Sequence, residues 1–93
     1  MDIGYVWDET KYKKVLSEHN VKFSEVVAAF EDPNGFDEAS LTEHESRWFW
    51  VGKTPWGRLL FIVFTDQDFP VIRIITAYDA SERWVEEYYA RQR

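Results

Sequence analysis

Residues 46–78 read SRWFWVGKTPWGRLLFIVFTDQDFPVIRIITAY, and the punctuation of this stretch decides the fold. Two clusters of turn formers, KTPWG at 53–57 and DQDFP at 66–70, cut it into three apolar runs. Proline cannot donate to a sheet ladder and glycine supplies turn geometry closed to other residues, so both clusters mark chain reversals. The runs between them, SRWFWVG (46–52), RLLFIVFT (58–65) and VIRIITAY (71–78), are rich in β-branched and aromatic residues. The middle run is apolar almost without a break, as expected of a central strand buried on both faces. The stretch therefore predicts a three-stranded antiparallel meander.

Upstream, IGYVW (3–7) reads as a short strand, with Asp8 placed to cap the helix that follows. Tyr12, Val15, Leu16 and His19 recur at helical spacing as a core stripe, and Asn20 suits a left-handed C-cap. Phe23, Val26, Val27 and Phe30 repeat the spacing in a second short helix, which stops at the turn formers EDPNG (31–35). Residues 35–45, GFDEASLTEHE, are polar and aperiodic and predict a loop with a short extended piece around Phe36. Downstream, Asp79 with Glu82 resembles a capping box, and Trp84, Val85, Tyr88 and Tyr89 give the last helix one apolar side. The order is strand, two helices, meander, helix: an α+β domain with one sheet face covered and the other free to bind.

With 93 residues, 45% of them hydrophobic and 18% aromatic, the chain has material for one core and one domain. The lack of cysteine excludes disulfide scaffolds and thiolate zinc sites and fits a reducing compartment, so a cytoplasmic location is expected. The opening MDIGYVWDE has no basic or apolar leader region, and LLFIVF is too short to cross a bilayer, so no membrane partner is expected. Seventeen acids against eleven bases give a net charge of −6. A chain of that sign gains from counterion release at a phosphate backbone only if its bases gather on one face.

Neither histidine, His19 or His44, belongs to an H-x-x-x-H or H-E-x-x-H pattern, and the glycines stand singly in turns, so neither a metal nor a nucleotide cofactor is expected. His19 closes a helical stripe, where core-edge packing and the helix dipole explain it. His44, Glu45 and Arg47 enter the first meander strand together, and Glu45 and Arg47 share a face if the strand has already begun. That grouping offers an acid, a base and a cation, and a solvated cross-strand ion pair accounts for the same residues. Arg73 alternates with Ile75 and Ala77, while Ile72, Ile74 and Thr76 point the other way. An arginine in mid-sheet costs free energy unless a carboxylate or a bound anion pairs with it. Glu45 and a phosphate ligand both meet that requirement.

Five segments resemble the BrnT family of ribonuclease toxins from bacterial type II toxin–antitoxin pairs: VWDETK (6–11), EHNVKFSEVVAAFEDP (18–33), ESRWFWVG (45–52), GRLLFIVFT (57–65) and VIRIITAYDAS (71–81). The resemblance spans nearly the whole chain. It implies a RelE-like fold, with helices on one face of a small antiparallel sheet and an RNA-binding cleft formed by the other face and the last helix. It implies a metal-independent endoribonuclease that halts translation, uses no cofactor and is neutralised by a cognate antitoxin. Glu45 and Arg47 fall on the family's E-x-R pair, Arg58 on its G-R-L, Arg73 on its R-I-I and Tyr88 on the tyrosine of its last helix. The implied reaction is attack of a ribose 2′-OH on the adjacent phosphate. Arg47 and Arg73 would stabilise charge, Glu45 or His44 would act as base and Tyr88 or His44 as acid, with Arg58 and Tyr78 as further RNA contacts. Many relatives carry arginine at the position of Tyr78 and along the last helix where this chain has Glu82, Glu86 and Glu87, and K-H-G in place of Glu18, His19 and Asn20. Each change removes positive charge from the RNA side. The same resemblance thus supports a second class, a catalytically weak or inactive module of the same fold that holds a partner protein with Trp48, Trp50 and Trp56.

Overall fold

The computed structural model describes residues 2–39 and 47–93. In chain order the elements are β1 (Gly4–Trp7), α1 (Glu9–His19), α2 (Phe23–Phe30), β2 (Phe36–Ala39), β3 (Arg47–Lys53), β4 (Leu59–Thr65), β5 (Val71–Asp79) and α3 (Glu82–Ala90). The strands form one mixed sheet in the order β1-β5-β4-β3-β2. Its centre is the antiparallel meander β3-β4-β5, with β4 in the middle. Its two edges were only partly foreseeable. β1 runs parallel to β5, Gly4 opposite Val71, and β2 runs antiparallel to β3, Phe36 opposite Val51. β2 lies where a loop with a short extended piece was expected. Only Phe36 of its four residues is buried, and an edge strand held by one anchor shows no apolar alternation.

The ends of α1 follow the sequence closely. Asp8 accepts a hydrogen bond from the Lys11 amide at 3.1 Å, and Asn20 closes α1 in the left-handed conformation at φ 53°. Of the expected α1 stripe, however, Val15 alone is buried, and Leu16 is 37% exposed. α1 rests on β5 while α2 covers β3 and β4, so the stripe meets a single strand rather than a groove between helices. Asp79 does not cap α3. It ends β5 and binds Arg58, and Ser81 takes the N-cap position without a side-chain bond.

Strand alternation sorts the apolar residues onto two faces. Val15, Val21, Val26 and Ala29 of the α1–α2 layer meet Leu60, Ile62, Phe64, Ile72, Ile74 and Ala77. On the other face Phe36, Phe49, Val51 and Phe61 pack against Tyr88 and Trp84 of α3. Both faces are thus covered in part, which is why β4 reads as an unbroken apolar run. The alternation of β5 changes phase once. Val63 pairs with Thr76 and Phe64 with Ile74, leaving Ile75 as the extra residue of a β-bulge. Ala77 consequently joins Ile72 and Ile74 in the α1–α2 core, contrary to the unbroken alternation expected from sequence, and Arg73 and Tyr78 come to share the opposite face.

Trp50 locks the helix layer to the sheet. Its indole N–H donates to the Ala29 carbonyl at 2.8 Å. A Cβ on Gly35 would enter the Trp50 ring, and one on Gly52 would meet both the Ala29 carbonyl and the indole nitrogen. Both glycines are there for close approach. Gly57, at φ 98°, instead serves the β3–β4 turn, where Thr54 and Arg58 close the hairpin through bonds of 2.8 and 2.9 Å.

Candidate functional site

On the α3 face, register places Arg47 opposite Thr65 and Thr65 opposite Arg73, with Val6 of β1 beyond. Neighbouring strands lie roughly 4.8 Å apart, so the backbones of the two arginines are about 10 Å from each other across Thr65. This row lies beyond Phe36, Phe49 and Phe61, the residues on which Trp84 of α3 packs. Arg73 is the most open member, its side chain 53% exposed, with Asp68 at 3.6 Å. A mid-sheet arginine was expected to need a carboxylate or a bound anion. Asp68 is that carboxylate, and because α3 does not reach over this end of the sheet the pair stands in water, where it contributes little. His44 and Glu45 lie outside the described residues.

Tyr88 is in a different place. It is 3% exposed, and its hydroxyl donates to Asp32 Oδ2, which also accepts from the Lys53 amide at 2.7 Å. Asn34 donates its amide to Oδ1 of the same carboxylate at 2.9 Å. Burial, then the bond to Asp32 and its charge, push the Tyr88 hydroxyl well above the ordinary tyrosine range. Lys53 Nζ meets the Tyr89 hydroxyl at 3.0 Å in the same cleft of about 450 Å³. Tyr88 therefore joins α3 to the turn after α2 and does not lie on the arginine row.

Arg58 is likewise engaged. Nε donates to Asp79, one terminal nitrogen to the Asn20 carbonyl and Glu25, the other to the His19 carbonyl and Asp79. These bonds use all five guanidinium donors and leave none for a phosphate. Burial pushes the Glu25 carboxyl up, but the Lys22 amide and Arg58 together outweigh it and hold its pKa below the ordinary value. Tyr78 is 37% exposed and stacks on Phe61 at 5.3 Å, with the His19 ring 5.7 Å away. Trp48 and Trp50 pack against the α1–α2 core, so of the three tryptophans expected to hold a partner only Trp56, 62% exposed, lies on the surface, beside Glu25.

The family model described as the ribonuclease toxin BrnT of type II toxin–antitoxin systems matches residues 7–83. The chain belongs to the BrnT family. Membership in a toxin–antitoxin family implies an antitoxin partner. No curated protein matches the chain significantly. Among solved structures, the ribonuclease toxin BrnT of Brucella abortus is similar, with a TM-score of 0.69 at 14% identity over 87% of this chain and all of that one. At that identity the likeness carries the fold, three helices on a five-stranded mixed sheet, and nothing further.

Within this BrnT-family fold the sequence brought out Arg47 and Arg73 but not what links them. Thr65 was missed because its place between two arginines depends on the β3–β4 register, although the hairpin was legible and the pairing could have been counted from the turn. Asp32 was missed because it stood in a run of turn formers. The D-P-N-G context does signal an Asx turn, and that turn fixes the carboxylate that Tyr88 and Lys53 then use. Among the described residues no helix is long and apolar enough to cross a membrane.

Proposed function

We propose that the chain is a BrnT-type toxin that binds and cleaves RNA without a metal at the Arg47–Thr65–Arg73 row, and that an antitoxin neutralises it in the cytoplasm. The observation that carries this reading is the cross-strand row itself, two cations on one sheet face about 10 Å apart at the backbone. That spacing lets two long side chains converge on one phosphate. In the reaction the ribose 2′-OH attacks the adjacent phosphorus and the 5′-oxygen leaves, forming a 2′,3′-cyclic phosphate. Arg47 and Arg73 stabilise the added charge on the phosphoryl oxygens. Glu45, two residues before Arg47, takes the 2′-OH proton, and His44 protonates the leaving oxygen. Tyr88 is a poor acid for this step, since its hydroxyl is bonded to Asp32 and its pKa is raised. Arg58 holds the chain together rather than holding RNA.

One observation favours the second reading, a partner-binding module without catalysis: Glu82 and Glu86 leave the exposed side of α3 acidic where RNA would approach. The test separates the two. Arg47→Ala and Arg73→Ala should each lower cleavage of a single-stranded RNA by about 100-fold or more while the thermal midpoint stays within a few degrees. Wild-type protein that cuts no RNA while still forming a complex with the product of an adjacent gene would overturn the nuclease reading and leave the module.

A further inference from the structure

The helix face of the sheet, opposite the arginine row, carries a feature that RNA cleavage does not use. Beyond the end of α2 an open groove of about 290 Å³ has an aromatic floor. Phe30 sits at its centre, stacked on Tyr5 at 5.2 Å and on Trp50 at 5.6 Å, with Phe64 edge-on at 5.3 Å. Ile3 and Phe69 form an apolar rim, 49% and 57% exposed. Asp37 and Asp66 line the same groove. The charge of Glu31, acting after burial, helps raise the pKa of the Tyr5 hydroxyl, which places a third carboxylate nearby. Among the described residues none of these three acids has an ion-pair partner.

Electron-rich ring faces attract cations, and unpaired carboxylates at the rim reinforce that attraction. Exposed isoleucine and phenylalanine beside them call for an apolar neighbour. The volume lies at the lower end of the roughly 300 to 1,000 Å³ typical of ligand pockets, which suits one inserted side chain better than a cofactor. We propose that this groove docks a protein partner through a segment in which one arginine or lysine is flanked by aliphatic residues, the cation entering between Asp37 and Asp66 over the Phe30–Trp50 stack. A partner held here sits on the sheet face away from Arg47 and Arg73. It therefore leaves the RNA row open unless a second segment of the same partner wraps around an edge of the sheet.

The test uses the whole chain and two blocked heptapeptides, one with a single arginine between two leucines and serine elsewhere, the other identical but with glutamine for arginine. The readout is the Trp50 indole N–H resonance, fixed at rest by its bond to Ala29, followed during titration. The arginine peptide should shift it saturably, and the glutamine peptide should bind about tenfold more weakly or worse. Asp37→Asn combined with Asp66→Asn, the first exposed and the second half-buried, should remove most of the difference between the two peptides, and Phe69→Ser should weaken both. Arg73→Ala should bind the arginine peptide as the wild type does, so that loss of the nuclease reading and loss of this one are told apart. Equal binding of the two peptides, no shift with either, or displacement of the arginine peptide by spermidine at equal concentration would each overturn the proposal, the last in favour of a small-polyamine site.

Discussion

The Tyr88 hydroxyl donates to the Asp32 carboxylate across the gap between the last helix and the turn after α2, and Lys53 of β3 donates its amide to the same oxygen. One side chain thus joins three elements that are distant in sequence. Tyr88→Phe keeps the ring in its core and deletes only the donor, and Asp32 retains two backbone partners. A loss of about 1 to 2 kcal/mol is expected in urea unfolding. The raised pKa adds a pH signature. A hydroxyl protonated more firmly in the folded state contributes stability that is complete below the unfolded tyrosine value of about 10 and lost as pH rises through the folded value. The gap between wild type and Tyr88→Phe should therefore close above about pH 10. A gap that stays constant through that range would show that Asp32 gains nothing from this hydroxyl.

Arg58 gives the opposite pH limb. Its side chain is 22% exposed and that of Glu25 12%, so Arg58→Ala strands a carboxylate with little access to water and should cost roughly 3 kcal/mol or more. Glu25 has a lowered pKa, so its contribution is present above the unfolded glutamate value and is lost as pH falls through the folded one. Chemical denaturation from pH 6 to 3 should show a steep acid loss in the wild type and a shallower one in Arg58→Ala. If Arg58→Ala instead keeps full stability but loses RNA binding, the clamp described above is incorrect.

The glycines around Trp50 make different predictions, although both face the same indole. Gly35→Ala meets the ring alone, whereas Gly52→Ala also meets the Ala29 backbone carbonyl. Each should cost about 1 to 3 kcal/mol. Truncation by Trp50→Leu should relieve the first and leave most of the second. A double-mutant cycle measures this directly: strong coupling is expected between positions 35 and 50 and weaker coupling between 52 and 50.

For the arginine row the most discriminating quantity is the salt dependence of RNA binding. Removing one phosphate contact should reduce the logarithmic salt slope by about 0.7 for single-stranded RNA. Arg47→Ala and Arg73→Ala should each do so, and Tyr78→Arg, which places a cation on the same face, should steepen the slope. Cleavage should persist in EDTA. Slopes that ignore all three substitutions would remove RNA from that face.

Much of the fold is legible in the sequence. Two turn clusters fixed the meander, Asp8 and Asn20 fixed the ends of α1, and helical spacing located all three helices, because each signal is local. What escaped depends on distant partners. β2 has one buried residue, Phe36, and is a strand only because β3 lies beside it. The bulge at Ile75 has no sequence mark, yet it decides which face Ala77 and Tyr78 take. Asp79 and Glu82 had the spacing of a capping box, but Arg58 offered Asp79 two charge-assisted bonds, stronger than one backbone amide. In the candidate site, residue type pointed to Arg47 and Arg73, and only the register could join them through Thr65. The assignment of Tyr88 and Arg58 to RNA rested on motif position, which carries no information about which donors are already in use.

The parallel pairing of β1 with β5 has a consequence for the order of events in synthesis. Gly4 and its neighbours are made well before their partners, Val71 to Ile74. A contact of such long sequence range closes late, after the costly loop between its ends has been brought together. Arg73 sits in that closing strand, with β1 on one side and β4 on the other. Arg47, Thr65 and Arg73 cannot stand in one row until β5 has been made and paired, so the row is among the last features of the fold to assemble.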